Sequence, residues 1–114
     1  MPFTICYHSE PGGESPDEYL LSNPDPEGAA DALRWLETLA STPMAEWPRR
    51  RTKKVTDHIW QLNVSEHRIL YFIHSQTIVV VHAFRKPRPK VQHQAYNLAE
   101  SRYDNYISRH GRTK

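Results

Sequence analysis

Between Lys54 and Arg85 the chain runs for 32 residues without a proline or a glycine, and the stretch is dense in Val, Ile, Thr, Trp, Tyr and Phe. Branched and aromatic side chains suit a pleated surface, so this segment reads as sheet. Three strands fit it: His58 to Val64, Arg68 to His74 and Ile78 to Phe84, joined at Ser65-Glu66-His67 and Ser75-Gln76-Thr77. Connections this short allow only antiparallel hairpins. Near the amino terminus Phe3, Ile5 and Tyr7 alternate with Thr4, Cys6 and His8, the period of a half-buried strand.

Helices are signalled on either side of the sheet segment. Asp25 followed by Pro26 supplies a cap and a first-turn proline, and Ala29, Ala32, Leu33, Leu36 and Ala40 form a stripe at helical spacing that stops by Pro43. Trp35 and Leu39 flank that stripe as packing residues. Pro87 and Pro89 end the last strand, after which Val91, Ala95, Leu98, Ala99, Tyr106 and Ile107 trace a second amphipathic helix up to Gly111. Residues 10–23, with Pro11, Gly12, Gly13 and Pro16, read as a loop with one helical turn at Asp17 to Leu21. A length of 114 residues allows one domain, residues 1–114. The expected fold class is α+β: a small, mainly antiparallel sheet of about four strands, helices packed on one face, the other face partly open, and a C-terminal helix.

Charge is distributed unevenly. Residues 1–48 hold one base, Arg34, against nine acids, whereas residues 49–114 hold fourteen bases and four acids. A domain built this way has a basic face fit for a polyanion, nucleic acid first, unless the two parts neutralise each other on folding. The apolar runs, Ile69 to Ile73 and Ile78 to Val81, are far too short to cross a membrane, and the amino terminus lacks a secretory pattern, so a cytoplasmic protein without a membrane partner is expected. The single cysteine, Cys6, excludes an internal disulfide and reads as a small buried hydrophobe.

Most catalytic classes fall away on pattern. Seven histidines invite a metal, yet none shows HxxxH spacing and acids are scarce among the strands, so no metal is expected. GxSxG, GxxxxGK[ST] and GxGxxG are absent, and the sheet segment carries only Asp57 and Glu66 as carboxylates. What remains is cationic: Arg49, Arg50 and Arg51, Lys53 and Lys54, Arg68 within a strand, and Arg85, Lys86, Arg88 and Lys90 after the last one. Arg68 has no acid nearby in sequence except Glu66, so it either pairs within the fold or faces a substrate phosphate. Trp60 and Tyr71 are either core or base-stacking residues.

These residues also follow a family pattern. Lys53-Lys54-Val55, Ile59-Trp60-Gln61-Leu62-Asn63-Val64, Arg68-Ile69-Leu70-Tyr71-Phe72, His82-Ala83-Phe84-Arg85-Lys86 and Ala99-Glu100-Ser101-Arg102 resemble the RelE/HigB toxins of type II toxin–antitoxin systems, in particular the phage-derived Gp49-like branch. The resemblance covers residues 52–106. Gln61 and Asn63 stand where that branch has Glu and Arg, His67 replaces a Tyr, and Pro87 replaces a Lys. Loss of the arginine at 63 removes one phosphate contact, so either Arg49 to Arg51 compensate or activity is reduced.

The resemblance implies a RelE/ParE-like fold and a metal-independent endoribonuclease that cuts mRNA on the ribosome, inhibits translation, uses no cofactor and is restrained by a cognate antitoxin of the small helix-turn-helix kind. In such cleavage the RNA supplies its own 2′-hydroxyl nucleophile, and the protein moves protons and stabilises charge on the phosphate. Matching positions assign Arg68 to the transition-state charge, Lys86 to the phosphate or leaving group, and Lys54 to charge or to the 2′-oxygen as base. His67 and His82 are the candidate acid and base, while Lys53, Arg85, Arg88, Lys90, Arg49, Arg50 and Arg51 would hold the RNA backbone. Two alternatives use the same sequence: a ParE-like toxin that binds DNA gyrase without catalysis, and a non-toxic RNA-binding module.

Overall fold

The strands assemble into one five-stranded sheet of order β1-β5-β4-β3-β2, seen in a computed structural model that describes residues 2–8, 19–20, 25–86 and 89–110. In chain order the elements are β1 (Thr4–Tyr7), α1 (Pro26–Ala40), a 3-10 turn (Met44–Glu46), β2 (Thr52–Lys54), β3 (Trp60–Val64), β4 (His67–His74), β5 (Thr77–Arg85) and α2 (Pro89–His110). Strands β2 to β5 pair antiparallel, and β1 joins β5 in parallel. The fold is therefore α+β with a mixed sheet and a C-terminal helix. The strand that patterning missed, β2, is three residues long with Lys53 and Lys54 exposed. Lysines on a short edge strand discourage pairing with other chains. Of the helical turn expected at 17–21, only Tyr19 and Leu20 lie among the described residues, and both are helical.

Both hairpin turns are two residues long, Ser65-Glu66 and Ser75-Gln76, with φ of 53° at Ser65 and 56° at Ser75. A positive φ at the first central residue matches the twist of the strands it joins. Between β4 and β5 the register slips once: Tyr71 faces Val80 while Leu70 faces His82, so Val81 bulges out of the ladder. Its carbonyl accepts from Arg102 Nη1 at 2.6 Å. Arg102 is 5% exposed, and its guanidinium supplies the donor that the bulge took away.

Helices cover both faces of the sheet, contrary to the expectation of one open face. On one side α1 lays Ala32, Leu36 and Leu39 on Leu62, Ile69, Tyr71, Ile78 and Val80. On the other, α2 lays Ala95, Ala99 and Tyr106 on Ile59, Leu70, Phe72, Val79 and Val81. The physical reason is legible in the strands themselves, because Ile69 to Phe72 and Ile78 to Val81 are apolar at every position rather than at alternate ones. Trp60 and Tyr71 both belong to the α1-side core, where Trp47 stands edge-on to each. Cys6 is exposed rather than buried. It sits on edge strand β1, in the outward-facing register between Ile5 and Tyr7, which with Phe3 turn inward.

Sequence and packing agree at both ends of α1. The Asp25 carboxylate accepts from Gly28 N–H (Oδ1, 3.1 Å) as the helix cap, and Trp47 Nε1 donates to the Leu39 and Thr42 carbonyls, both at 3.0 Å, at the other end. The second Asp25 oxygen lies 3.0 Å from His67 Nε2 at the start of β4. Gly28 makes that approach possible: a Cβ there would sit 2.1 Å from Asp25 Oδ2 and 2.8 Å from His67 Nε2. Glycine inside a helix normally costs about 1 kcal/mol against alanine, so Gly28→Ala would ordinarily stabilise. Here the opposite is expected, a loss of about 1–3 kcal/mol, because a buried imidazole would lose its partner. Urea unfolding of the two proteins checks the sign.

Candidate functional site

Strand register decides which cations share a face. Asn63 pairs with Arg68 and Arg68 with Phe84, while Lys53 pairs with Gln61 and Lys54 with Trp60. By strand alternation Lys53, Gln61, Asn63 and Arg68 lie on the α2 face, whereas Lys54 shares the α1 face with Trp60. Lys54 is also offset from the Asn63–Arg68 row by three residues and two strands, about 14 Å between Cα atoms. The structure therefore does not bring Lys54 together with Arg68. Lys53 is the lysine of that pair placed on the same face.

Arg68 is half-buried, and its Nη1 donates to the Ser65 carbonyl at 2.9 Å and the His67 carbonyl at 3.0 Å. Neither Arg68 nor Lys86 has a carboxylate partner among the described residues. Lys86 follows β5, and its backbone N–H donates to the Glu66 carbonyl at 2.6 Å. The two cations thus flank one turn, at the end of the sheet where β3 passes into β4. Exposed Arg49 and Arg50 precede β2. Arg51 is used structurally: its guanidinium lies 4.5 Å from the centre of the Trp35 ring and donates to the Asn63 carbonyl. Arg85 stands opposite His67 on the α1 side, and its charge helps lower the pKa of Asp25, after the Gly28 N–H and the His67 ring. Lys90 lies in the first turn of α2, and Arg88 lies outside the described residues.

The two candidate histidines differ. His67 has a side chain only 2% exposed, with Nε2 on Asp25 and Nδ1 on the Tyr19 hydroxyl at 3.0 Å. Both ring nitrogens serve the fold. His82 is half-buried and stacked on Phe84 at 5.2 Å. Burial, and then the Arg102 charge, push its pKa down to about 4, so at neutral pH only about one ring in a thousand carries a proton.

Two polar clusters were not legible in advance. In the first, Gln92 donates to the Tyr96 hydroxyl, which donates to Gln61 Oε1 at 2.8 Å; Gln61 Nε2 then donates to Asn63 Oδ1 at 2.7 Å. The sequence signal for it was limited to the unusual pair Gln61 and Asn63. In the second, Glu100 of α2 binds the Thr56 hydroxyl, the His58 ring and the His58 N–H, and His58 stacks on Tyr103 at 4.1 Å. Burial raises the Glu100 pKa, but the bonds from Thr56 and His58 outweigh it and the net shift is downward. This cluster clamps the loop before β3 onto α2. Among the described residues no three His, Cys, Asp or Glu side chains are arranged to hold a metal.

The His82 environment sets a pH dependence. An unfolded histidine titrates near 6.5, the folded ring near 4, so between those values the unfolded chain binds a proton that the folded chain refuses. The His82 contribution to stability is therefore flat above about 6.5 and falls as pH drops towards 4, by at most about 3 kcal/mol. The carboxylates of Asp25 and Glu100, with lowered pKa values, lose their contributions only at lower pH. Melting temperatures between pH 7 and 4.5 should fall less steeply for His82→Gln than for the wild type.

Comparison with known proteins places the chain. No curated protein matches it. A sequence model of the phage-derived Gp49-like protein family (DUF891) matches residues 18–104, a span that contains α1, the whole antiparallel part of the sheet and most of α2. With more than half its length matched, and with the α+β architecture that the RelE-like fold requires, the chain belongs to the Gp49-like family, a toxin-like family of the RelE/ParE superfamily.

Proposed function

We propose that this Gp49-like protein is the toxin of a type II toxin–antitoxin pair and acts as a metal-independent mRNA endoribonuclease on the ribosome. The observation that carries the reading is the Arg68 guanidinium, fixed by two carbonyls and without a carboxylate partner among the described residues, beside Lys86 and on the same face as Lys53. A charge held in this way is preorganised for an anion. The acids of α1, including Glu27, Asp31 and Glu37, are exposed on the far side of the sheet. These three acids therefore lie on the face of the sheet opposite to Arg68 and Lys53.

The chemistry needs little else. The RNA 2′-oxygen attacks the adjacent phosphorus, the bond to the 5′-oxygen breaks, and a 2′,3′-cyclic phosphate and a 5′-hydroxyl result. In this reading Arg68 faces the non-bridging oxygens as negative charge builds, and its planar fork suits two of them. Lys86 stands at the leaving oxygen and supplies its proton, while water takes the proton of the 2′-hydroxyl. Histidine has a small part, because His67 is committed to the fold and His82 is a weak base with its low pKa. Lys54, on the opposite face, cedes its place to Lys53, and Arg49, Arg50 and Lys90 hold the backbone of the RNA. The antitoxin would stop the reaction by covering this face.

Single-turnover cleavage tests the assignment. Removing one preorganised charge contact costs on the order of 3 kcal/mol, so Arg68→Ala and Lys86→Ala should each cut roughly a hundredfold more slowly while melting like the wild type. Lys90→Ala should weaken RNA binding with little change in the single-turnover rate. The rate should show no histidine-type inflection near pH 6.5. Transcript ends mapped after expression in bacteria should carry 5′-hydroxyls; intact transcripts with blocked DNA supercoiling would favour the gyrase-binding alternative instead.

A further inference from the structure

One polar relay has no task in the reaction just described. Gln61 is 1% exposed in the middle of β3, so its amide must be satisfied from within the protein. The hydrogen bonds that do so run in one direction. Because the Gln92 amide nitrogen feeds the Tyr96 oxygen, the Tyr96 proton points at Gln61 Oε1. The Gln61 nitrogen is then left to donate to Asn63 Oδ1. Asn63, half-buried at the end of the relay, has its oxygen turned inward and its NH2 group turned out.

No described residue accepts from Asn63 Nδ2. Its partner across the ladder is Arg68, whose Nη1 is spent on two carbonyls and whose Nε and Nη2 likewise have no acceptor among the described residues. Adjacent side chains on one face of an antiparallel pair stand about 5 Å apart at Cβ. Across this rung, Asn63 Nδ2 and Arg68 Nε and Nη2 are donors without an acceptor among the described residues. Donor-only patches reject metal cations and suit an oxyanion with several lone pairs. Had the relay run the other way, Asn63 Oδ1 would face Arg68 and satisfy it, and the patch would be closed to anions.

We infer that Asn63 Nδ2, aimed by the Gln92–Tyr96–Gln61 relay, is a neutral seat for a non-bridging phosphate oxygen of the nucleic-acid backbone, adjoining the phosphate held by Arg68. Asn63 touches the ligand; Gln61, Tyr96 and Gln92 are positioning residues. The inference rests on the nucleic-acid reading above and adds a contact that charge counting does not find. Being neutral, this contact releases no counterion, which separates it from every lysine and arginine around it.

The test uses the full chain and an RNA oligonucleotide of mixed sequence with every 2′-hydroxyl methylated, so that binding is measured without cleavage. At physiological ionic strength, Asn63→Asp, which exchanges the outward donor for an acceptor, should weaken binding by roughly tenfold or more, and Asn63→Ala by about threefold to tenfold. The slope of log affinity against log salt should be unchanged in Asn63→Ala but reduced by about one in Lys53→Ala. Gln61→Glu can only accept from Asn63, so it should turn the Asn63 oxygen outward and weaken binding although Asn63 is intact. Tyr96→Phe should weaken binding as well, and combined with Asn63→Ala should add nothing further. In the wild type the Asn63 side-chain NH2 resonance should move when the oligonucleotide is added, a readout independent of how any variant folds. If the wild type binds and Arg68→Ala impairs binding or cleavage, but both Asn63 variants bind within about twofold of wild type and that resonance stays still, the inference is wrong and the nuclease reading stands. If the wild type does not bind the oligonucleotide at all, the inference is wrong, and the nuclease reading is decided separately by the transcript ends mapped in bacteria.

Discussion

The contact between the Asp25 carboxylate and the His67 ring is the constraint on which the rest of the molecule depends. One carboxylate oxygen caps α1 through Gly28 N–H; the other reaches the first residue of β4, next to Arg68. The helix is thereby fixed against the hairpin whose Ser65 and His67 carbonyls hold the Arg68 guanidinium. A capped helix terminus and a buried imidazole are each worth about 1 kcal/mol or more when satisfied and cost more when left open. Joining them in one carboxylate makes the start of the helix and the geometry of the cationic turn a single cooperative feature.

A second constraint comes from burying the sheet on both faces. Central strands covered on two sides leave no solvent for a bulged backbone group, and the carbonyl of Val81 has its ladder partner displaced. The sequence answers with Arg102, at the position where the family pattern carries a helix arginine. Its role here is the backbone of β5, and its charge reaches chemistry only indirectly, by helping to keep His82 neutral. Arg51 is similarly occupied, on Trp35 and the Asn63 carbonyl. Part of the positive charge in residues 49–114 therefore belongs to the fold. Of the cations that remain, Arg68 and Lys86 flank the turn between β3 and β4.

Element identity was readable because the local signals agreed with one another. The three central strands stand within two residues of where composition put them, and Asp25-Pro26 marks the start of α1 to the residue. What could not be read depends on register or on distance in sequence. Lys53 and Lys54 are indistinguishable by composition, yet one residue of register puts them on opposite faces. His67 resembles a turn histidine until Asp25, 42 residues earlier, is seen beside it. Nor does any periodicity link Gln61 to Tyr96, 35 residues apart. The second covered face was different: four consecutive apolar residues in each of β4 and β5 announced it, and the short hairpins drew attention away.

The departures at 61 and 63 show why a fold can keep its frame while its surface chemistry changes. Positions two apart on a strand share a face, so the Glu and Arg of the related pattern would face each other as an ion pair where Gln61 and Asn63 now exchange an amide hydrogen bond. Burying an ion pair carries a desolvation cost that only good geometry repays, whereas a neutral pair avoids most of that cost. With Gln61 almost wholly buried, the neutral version suits the site, and with no cation at 63 the strand-borne charges beside this pair are Arg68 and Lys53. The arginine of such a pair can only donate to a neighbouring phosphate, whereas an amide can turn either a donor or an acceptor outward, and the difference decides whether an anion is welcomed or repelled. The direction in which Gln92 and Tyr96 pass their hydrogens is therefore what leaves a donor, rather than an acceptor, without an internal partner at Asn63.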